Sequence, residues 1–335
     1  MASKAAAETA AWAEKKAAHR RFGGVLQQGP QAVLALFIVA FGIVLTAVSP
    51  NFLTPLNLQA IATGLAADAI MAVGMTMVLL MRGLDLSVGA VFALGALVAG
   101  KLLAGGQPIL FAVGAGLAVS ALVGVVNGYV ISRIGVPHLI ATLATLTIAR
   151  GITVVVTQGF MVSGFPKAFE VVGQGYWGIV PIPVLIMLVI VAAGVWLLRN
   201  TTFFHRLYFI GGNPDAARLS GIQVGRTEII IYTLSAILAG FAGIITSSRL
   251  GVVTALYGQG AELRVIAACV LGGVSIMGGE GTVIGSVLGV ILLALISNAF
   301  VLLDVSVYWQ GVVSGVVLLL AVMIDAIRVR RMRST

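Results

Sequence analysis

Residues 31–48 read QAVLALFIVAFGIVLTAV, an apolar run without a single charged side chain. A helix needs about 20 mostly apolar residues to cross roughly 30 Å of hydrocarbon, so this run predicts a membrane span. It exceeds the roughly 7–15 residues of a secretory signal core, and no clear cleavage site follows it. We therefore expect a span that is retained in the mature protein.

The rest of the chain has the same character. Of the 335 residues, 60% are hydrophobic and 9% are charged, and the mean hydropathy is +1.11, which excludes a soluble domain. We expect an all-α membrane protein with about ten transmembrane helices. After the first, the apolar runs lie near residues 57–80, 86–103, 108–132, 138–157, 179–198, 228–248, 264–277, 282–303 and 307–325. The span over 264–277 is the weakest, because LGGVSIMGGEG is rich in glycine and is typical of a broken or re-entrant segment.

The positions of the basic residues predict the orientation. Most of the 20 lysine and arginine residues fall on one side if the N-terminus is cytoplasmic, as the positive-inside rule requires. Residues 1–30 then form a cytoplasmic tail or helix, 31–325 the transmembrane domain, and 326–335 a basic cytoplasmic tail. The loop 199–227 faces the cytoplasm. The loop 158–178 faces outward and is long enough for a lip or a short helix.

Several functional classes find no support in the composition. The net charge is +9, but the basic residues do not cluster with aromatic residues as in nucleic-acid-binding proteins. The single cysteine, Cys269, excludes a disulfide within the chain. His19, His138 and His205 are scattered, so no metal site and no catalytic constellation is predicted.

One short polar segment interrupts the apolar pattern at residues 211–221, GGNPDAARLSG. Asn213 can cap a helix that begins at Pro214, Asp215 then lies in the first turn, and Gly221 can end the helix in a left-handed conformation. We expect about two helical turns. On these features alone, a docking element and an ordinary connector between spans are equally good interpretations.

Three motifs carry a resemblance to a known family. The order Asp215-Ala216-Ala217, Gly221 and Ile231 resembles the EAA-type coupling loop of ABC importer permeases, with Asp in place of Glu. With its flanks, YFIGGNPDAARLSGI (208–222) is similar to the form found in ribose-type sugar permeases. Two further stretches agree in the expected order, GLDLSVGA (83–90) and AELRVIAACVLGGVSIMGGEGTVIG (261–285). The resemblance extends from about residue 50 to residue 325.

The resemblance implies an ABC importer permease fold in a bacterial-type inner membrane. It implies a subunit that pairs with a second permease copy, more simply as a homodimer, and that receives substrate from an extracytoplasmic sugar-binding protein. The implied substrate is a pentose-like monosaccharide or a related polyol, and relatives handle nucleosides or a furanone-like signal. An ion-coupled secondary transporter is the alternative, but clearer intramembrane acids and an internal repeat are expected of that class.

Separate ATPase subunits would supply the energy. The GxxxxGK[ST] turn that holds nucleotide phosphates does not occur in the sequence, so we expect no ATPase site and no bound cofactor on this chain. ATP and Mg²⁺ would bind to the partner subunits.

The resemblance assigns the capped segment to ATPase coupling, with the cap residues keeping it rigid. The coupling candidates are Gly211, Gly212, Asn213, Asp215, Ala216, Ala217, Arg218 and Gly221. The two alanines are expected to permit close approach to the ATPase, and the Asp and Arg to set a polar register.

The other two motifs supply candidates for a turn and a gate. These are Gly83, Asp85, Ser87, Gly272, Gly273, Gly278, Gly279 and Gly281. Asp85 and Ser87 can cap the following helix, and the glycines fit either a gate or simple close packing.

Polar residues within spans are costly in lipid and are therefore pathway candidates. They are Asp68, Asn127 and Asn298. Asp68 is expected to pair with a basic residue or to line the pathway, and the two asparagines can also simply bridge helices. Arg150 is expected to extend to the outer interface.

Overall fold

The computed structural model describes residues 30–306 without a gap and, beyond them, residues 309, 311–313, 315, 316, 319 and 323. The predictions for an N-terminal tail, for a span over 307–325 and for a basic tail over 326–335 lie outside the continuously described part of the chain. The helices within that part are α1 (Pro30–Val48), α2 (Pro55–Leu80), α3 (Val88–Ala104), α4 (Ile109–Tyr129), α5 (His138–Thr157), α6 (Lys167–Gln174), α7 (Ile182–Asn200), α8 (Thr202–Gly212), α9 (Pro214–Leu219), α10 (Val224–Leu250), α11 (Ala261–Leu271) and α12 (Val283–Leu302).

Seven of the described helices are long and apolar enough to cross a membrane. They are α1, α2, α4 together with the π-helical turn Val130–Ile134, α5, α7, α10 and α12. Helix α3 is also apolar but has only 17 residues. The expectation of an all-α membrane protein is confirmed, whereas the described residues give seven full-length spans rather than ten.

The segment predicted as a span over 264–277 is broken. Helix α11 ends at Leu271, and residues 272–282 follow as an irregular glycine-rich loop. Gly273, Gly278 and Gly279 have φ values of 86°, 80° and 77°, in the left-handed region that other residues rarely adopt. A right-handed helix cannot continue through residues in this conformation, because their backbone turns in the opposite sense.

Helix α10 lies at the centre of the fold and contacts α2, α3 and α4. Its contact with α4 depends on glycine. A Cβ atom added at Gly124 would lie 2.5 Å from Thr233 Cα, and one added at Gly128 would lie 2.5 Å from Ile229 Cα. The two backbones therefore meet directly, which is how small residues stabilise helix pairs in membranes.

A small irregular region covers one end of the bundle. The loop 158–178 contains the predicted short helix, observed as α6. Strand β1 (Val162–Ser163) pairs antiparallel with β4 (Val252–Val253), which follows α10, and β2 (Tyr176–Trp177) pairs with β3 (Val180–Pro181). The pairing of β1 with β4 fixes the loop to the end of α10.

Candidate functional site

Helix α9 is the capped segment that the sequence predicts, and it has six residues. Asn213 Oδ1 accepts hydrogen bonds from the backbone N–H groups of Asp215 (3.1 Å) and Ala216 (3.0 Å). Pro214 occupies the first turn, where its missing N–H costs nothing. Gly221 has a φ of 81° and its N–H donates to Arg218 O at 3.0 Å. The helix is therefore capped at both ends.

The two faces of α9 differ in what they contact. Ala217 is buried and packs with Ile210 and Val224 of the flanking helices, whereas Ala216 is exposed. Only one of the two alanines is thus available for close approach by a partner. The side chain of Leu219, which the sequence analysis missed, is 91% exposed. Single exposed apolar side chains are common on protein surfaces, so a contact at Leu219 is tested by substitution below.

The charged residues of α9 pair with each other. Arg218 Nη1 lies 2.9 Å from Asp215 Oδ1, one turn apart on the helix. Both side chains are largely exposed, and a salt bridge of this kind contributes little to stability. The pair therefore gives the surface of α9 a defined charge pattern but adds little to the stability of the fold.

Three backbones meet where α9 joins the bundle. The N–H of Gly279, in the glycine-rich loop, donates to Leu80 O at the end of α2 at 3.0 Å. A Cβ atom added at Gly211, near the end of α8, would overlap both Leu80 O and Gly279 N. We call Leu80, Gly211 and Gly279 the Gly211 junction. It connects α8 and α9 to the core without any intervening side chain.

Two open clefts flank the same end of the molecule. One, of about 650 Å³, lies between α7, α8 and the end of α9 and carries Arg199, His205 and Arg206. The other, of about 440 Å³, is mostly apolar and is lined by Phe209 and Ala216. Together with α9 they form a surface with both basic and apolar contacts, which a protein partner can occupy.

The motif GLDLSVGA forms the turn between α2 and α3, and its polar side chains are buried. Asp85 Oδ1 accepts from the Ser87 N–H (3.0 Å) and hydroxyl (2.6 Å), and Asp85 Oδ2 accepts from Ser235 Oγ at 3.3 Å. Ser87 Oγ accepts from Asn127 Nδ2 at 3.0 Å, and Asn127 Oδ1 accepts from the Thr145 hydroxyl. These five residues, the Asp85 network, join the turn to α4, α5 and α10.

The prediction that Asp85 and Ser87 cap α3 is wrong. Ser87 occupies the N-cap position, but its hydroxyl makes no capping bond, because it is engaged with Asp85 and Asn127. The expected tight entry is present, since a Cβ at Gly83 would lie 2.8 Å from the Tyr232 hydroxyl oxygen. The turn is held by tertiary hydrogen bonds, which the local sequence does not reveal.

The glycine-rich loop is unwound at some glycines and closely packed at others, and its role as a gate stays a prediction. Gly278 and Gly281 have positive φ values, so the chain is unwound there. Gly272 instead makes close packing possible, because a Cβ at this position would overlap Gly285 O in α12. Some of its glycines thus permit a backbone conformation with positive φ, and others permit two backbones to approach each other closely.

The remaining polar candidates all have partners. Asp68 Oδ2 lies 3.5 Å from Arg264 Nε, and the pair links α2 to α11. Asn298 Nδ2 donates to Asn57 Oδ1 at 2.7 Å, and Asn57 Nδ2 donates back at 3.1 Å.

Arg150 contacts the turn after β4, and its extension to the outer interface stays a prediction. Its Nη1 donates to the carbonyl oxygens of Ala255 (2.8 Å) and Tyr257 (2.6 Å) in the turn after β4. Charged side chains in membrane spans commonly pair with backbone carbonyls, and these two bonds join α5 to the turn.

Four residues with clear partners were missed by the sequence analysis, namely Asn57, Thr145, Ser235 and Arg264. Hydroxyl side chains are common in spans because they bond to their own helix backbone, so Thr145 and Ser235 gave no distinct signal. Asn57 and Arg264 carry the stronger signal, a costly polar group beside an apolar run.

The chain is similar to known permease components over most of its length. Residues 57–322 match the family described as branched-chain amino acid transport system / permease component. No solved structure matches the chain. The chain is 41% identical to the ribose import permease protein RbsC of Bacillus subtilis (strain 168), over 93% of this chain and 96% of that protein.

Two other relatives have different printed substrates. The chain is 34% identical to the L-arabinose ABC transporter permease protein AraH of Azospirillum brasilense, over 94% of this chain and 93% of that protein. It is 35% identical to the autoinducer 2 import system permease protein LsrC of Klebsiella pneumoniae, over 86% and 84%. Because the family match covers most of the sequence and these relatives align over nearly their full length, the chain belongs to the family of branched-chain amino acid transport system permease components.

Proposed function

We propose that this chain is the membrane-spanning permease of an ABC importer for a pentose-like monosaccharide or a related polyol. It forms a homodimer in the inner membrane, with both termini in the cytoplasm. An extracytoplasmic binding protein delivers the substrate. Separate cytoplasmic ATPase subunits bind ATP and Mg²⁺ and drive the cycle.

The observation that carries the proposal is the 41% identity to a ribose import permease over 93% of the chain. The relative named for L-arabinose supports the same substrate class. The relative named for autoinducer 2 makes that signal a second candidate to screen.

Helix α9 is the proposed coupling helix. It is short, capped at both ends and exposed, and it carries Leu219 on its surface. Movement of the ATPase pair would displace it as a rigid body and shift the balance between the inward and outward states of the spans. The Gly211 junction supports this role, because it connects the helix to α2 and to the glycine-rich loop through backbone atoms.

A reconstitution experiment tests the proposed function. The permease is placed in proteoliposomes with its ATPase and binding protein, and uptake of labelled D-ribose is followed with and without ATP. Uptake should require all three components and should stop when the phosphate-binding lysine of the ATPase is replaced. Uptake driven by an ion gradient without the partners would establish a secondary transporter instead.

Substitution of Leu219 by serine should weaken binding of the ATPase. Burial of a leucine side chain contributes about 1.5–3 kcal/mol, so the Kd should rise at least about tenfold. Titration of labelled ATPase onto the permease in nanodiscs measures this change. The matched control is Leu256→Ser, which alters a 66% exposed leucine in the turn after β4. Equal Kd values for the two variants would contradict the coupling role of α9.

A further inference from the structure

A cavity of about 370 Å³, with polar side chains near both ends and mainly apolar walls, lies between α2, α11 and α12. The Asn57–Asn298 amide pair stands at one end, and the Asp68–Arg264 ion pair lies further along α2. At 1.5 Å per residue, Asn57 and Asp68 are separated by about 16 Å along the helix axis. The cavity therefore extends from the end of α2 to about the middle of this 26-residue helix.

The ion pair at the inner end of the cavity is open. The side chains of Arg264 and Asp68 are 39% and 27% exposed, and one 3.5 Å contact joins them. Within residues 30–306, the two Nη groups of Arg264 and Oδ1 of Asp68 make no hydrogen bond. Charged side chains within membrane spans almost always face the protein interior or a water-filled cavity, because hydrocarbon does not solvate them. The partial exposure of this pair therefore indicates polar or aqueous surroundings.

The walls between the two polar pairs are mainly apolar, with Leu65 and Leu293 among them and the polar Ser297 beside them. Ligand sites typically combine apolar walls with a few well-placed polar groups. The outward faces of α1 and α7 instead present large apolar side chains, such as Ile43, 65% exposed, and Val189, 68% exposed. The cavity is therefore distinguished from these faces by its charged and amide side chains.

We propose that this cavity is a binding station for a neutral polyhydroxylated solute on its way through the permease, with Asp68 and Arg264 bonding to hydroxyl groups. This rests on the proposed function and assigns residues to the pathway. A hydroxyl group both donates and accepts, so it can bond to Asp68 Oδ1 and to an Arg264 N–H at the same time. The pair has no net charge, which favours a neutral solute over an ion. The amide pair offers further donors and acceptors at the outer rim.

Water access to the cavity is tested by cysteine labelling. The native Cys269 is fully buried, so the unmodified chain provides the background. In proteoliposomes exposed on both faces to a charged methanethiosulfonate reagent, Ser297→Cys should be labelled and Val189→Cys should not. A charged reagent reacts with a thiolate in water and not with a thiol in lipid. Failure to label Ser297→Cys, or equal labelling of both variants, would overturn the proposal.

A solute that binds in the cavity should protect Ser297→Cys from labelling, and this protection identifies the class of solute. D-ribose at saturating concentration should slow labelling of Ser297→Cys, whereas L-leucine should not. Absence of protection by D-ribose, or equal protection by both, would overturn the assignment to a polyhydroxylated solute. This result does not depend on ATP, so it is distinct from failure of the reconstituted uptake experiment.

Removal of the Asp68 and Arg264 charges distinguishes solute binding by this pair from a purely structural role. Asp68→Asn or Arg264→Gln leaves one unpaired charge, whereas the double variant leaves none, so a purely structural pair predicts that the double variant regains both stability and uptake. We expect the double variant to regain thermal stability but to keep a D-ribose uptake rate at least about tenfold below that of the unmodified chain, corresponding to about 1.4 kcal/mol. Restored uptake in the double variant would show that the pair only supports the fold.

Discussion

Replacement of Gly211 by alanine should abolish ATP-driven uptake and destabilise the permease. The added methyl group would overlap Leu80 O and Gly279 N, which are backbone atoms that already share a hydrogen bond. Backbone atoms cannot move aside as a flexible side chain can, so α8 must shift away from α2. Overpacking of this kind costs about 1–3 kcal/mol, and the shift also displaces α9 relative to the core.

The neighbouring glycine supplies the control. A Cβ atom added at Gly212 meets no atom of the described residues within 4 Å, although Gly212 lies in the same helix. Because alanine favours a helix over glycine by up to about 1 kcal/mol, Gly212→Ala should retain stability or gain slightly. The two variants differ by the position of one methyl group along the chain.

Three measurements on both variants distinguish the outcomes. These are the thermal melting temperature in detergent, the ATPase rate of the assembled complex and the uptake of D-ribose. For Gly211→Ala we expect a lower melting temperature and a loss of uptake, with ATP hydrolysis no longer linked to transport. Normal uptake by Gly211→Ala would show that the junction does not transmit motion.

Replacement of Asp85 by alanine should strongly destabilise the permease. The substitution leaves the N–H and hydroxyl of Ser87 and the hydroxyl of Ser235 without their acceptor. Each buried group that loses its partner costs about 1–3 kcal/mol, so a total of about 3 kcal/mol or more is expected. Expression level and melting temperature in detergent measure the loss.

The isosteric variant Asp85→Asn separates hydrogen bonding from charge. An asparagine oxygen can accept the two bonds from Ser87, and its amide can donate to Ser235, whose hydroxyl can act as acceptor. We therefore expect Asp85→Asn to melt close to the unmodified protein. If Asp85→Asn were as unstable as Asp85→Ala, the negative charge itself would be required, and the hydrogen-bond explanation would be wrong.

Local signals in the sequence predicted local structure well. The cap at Asn213, the left-handed Gly221 and the break near Gly273 all follow from backbone preferences of single residues, and each is present. The long apolar runs predicted the spans for the same reason, since crossing a bilayer requires length and apolarity within one segment.

The contacts between distant segments could not be predicted. Asp85 and Ser87 look like helix caps in the sequence, because the partner of Asp85 in α10, Ser235, and the partner of Ser87 in α4, Asn127, lie far away in the chain. The sequence predicts a basic partner for Asp68 but not that this partner is Arg264, and the approach of Gly211 to Leu80 is unpredictable for the same reason. Which polar or small residues meet depends on how the helices pack, and a single sequence does not encode that in its local pattern.

The exposed residues of α9 and the Gly211 junction differ in how readily they tolerate substitution. On α9 the exposed features are side chains, namely Leu219 and the Asp215–Arg218 pair, and a complementary change on a partner surface can accommodate their replacement. The junction consists of backbone atoms, for which no such compensation exists. We therefore expect that the permease can be matched to a different ATPase subunit by changing a few surface residues of the proposed coupling helix, while the Gly211 junction stays unaltered. Hybrid transporters built from this chain should keep 208–212, 278–282 and the buried Ala217 intact and vary only the exposed residues of α9, namely Asp215, Ala216, Arg218 and Leu219.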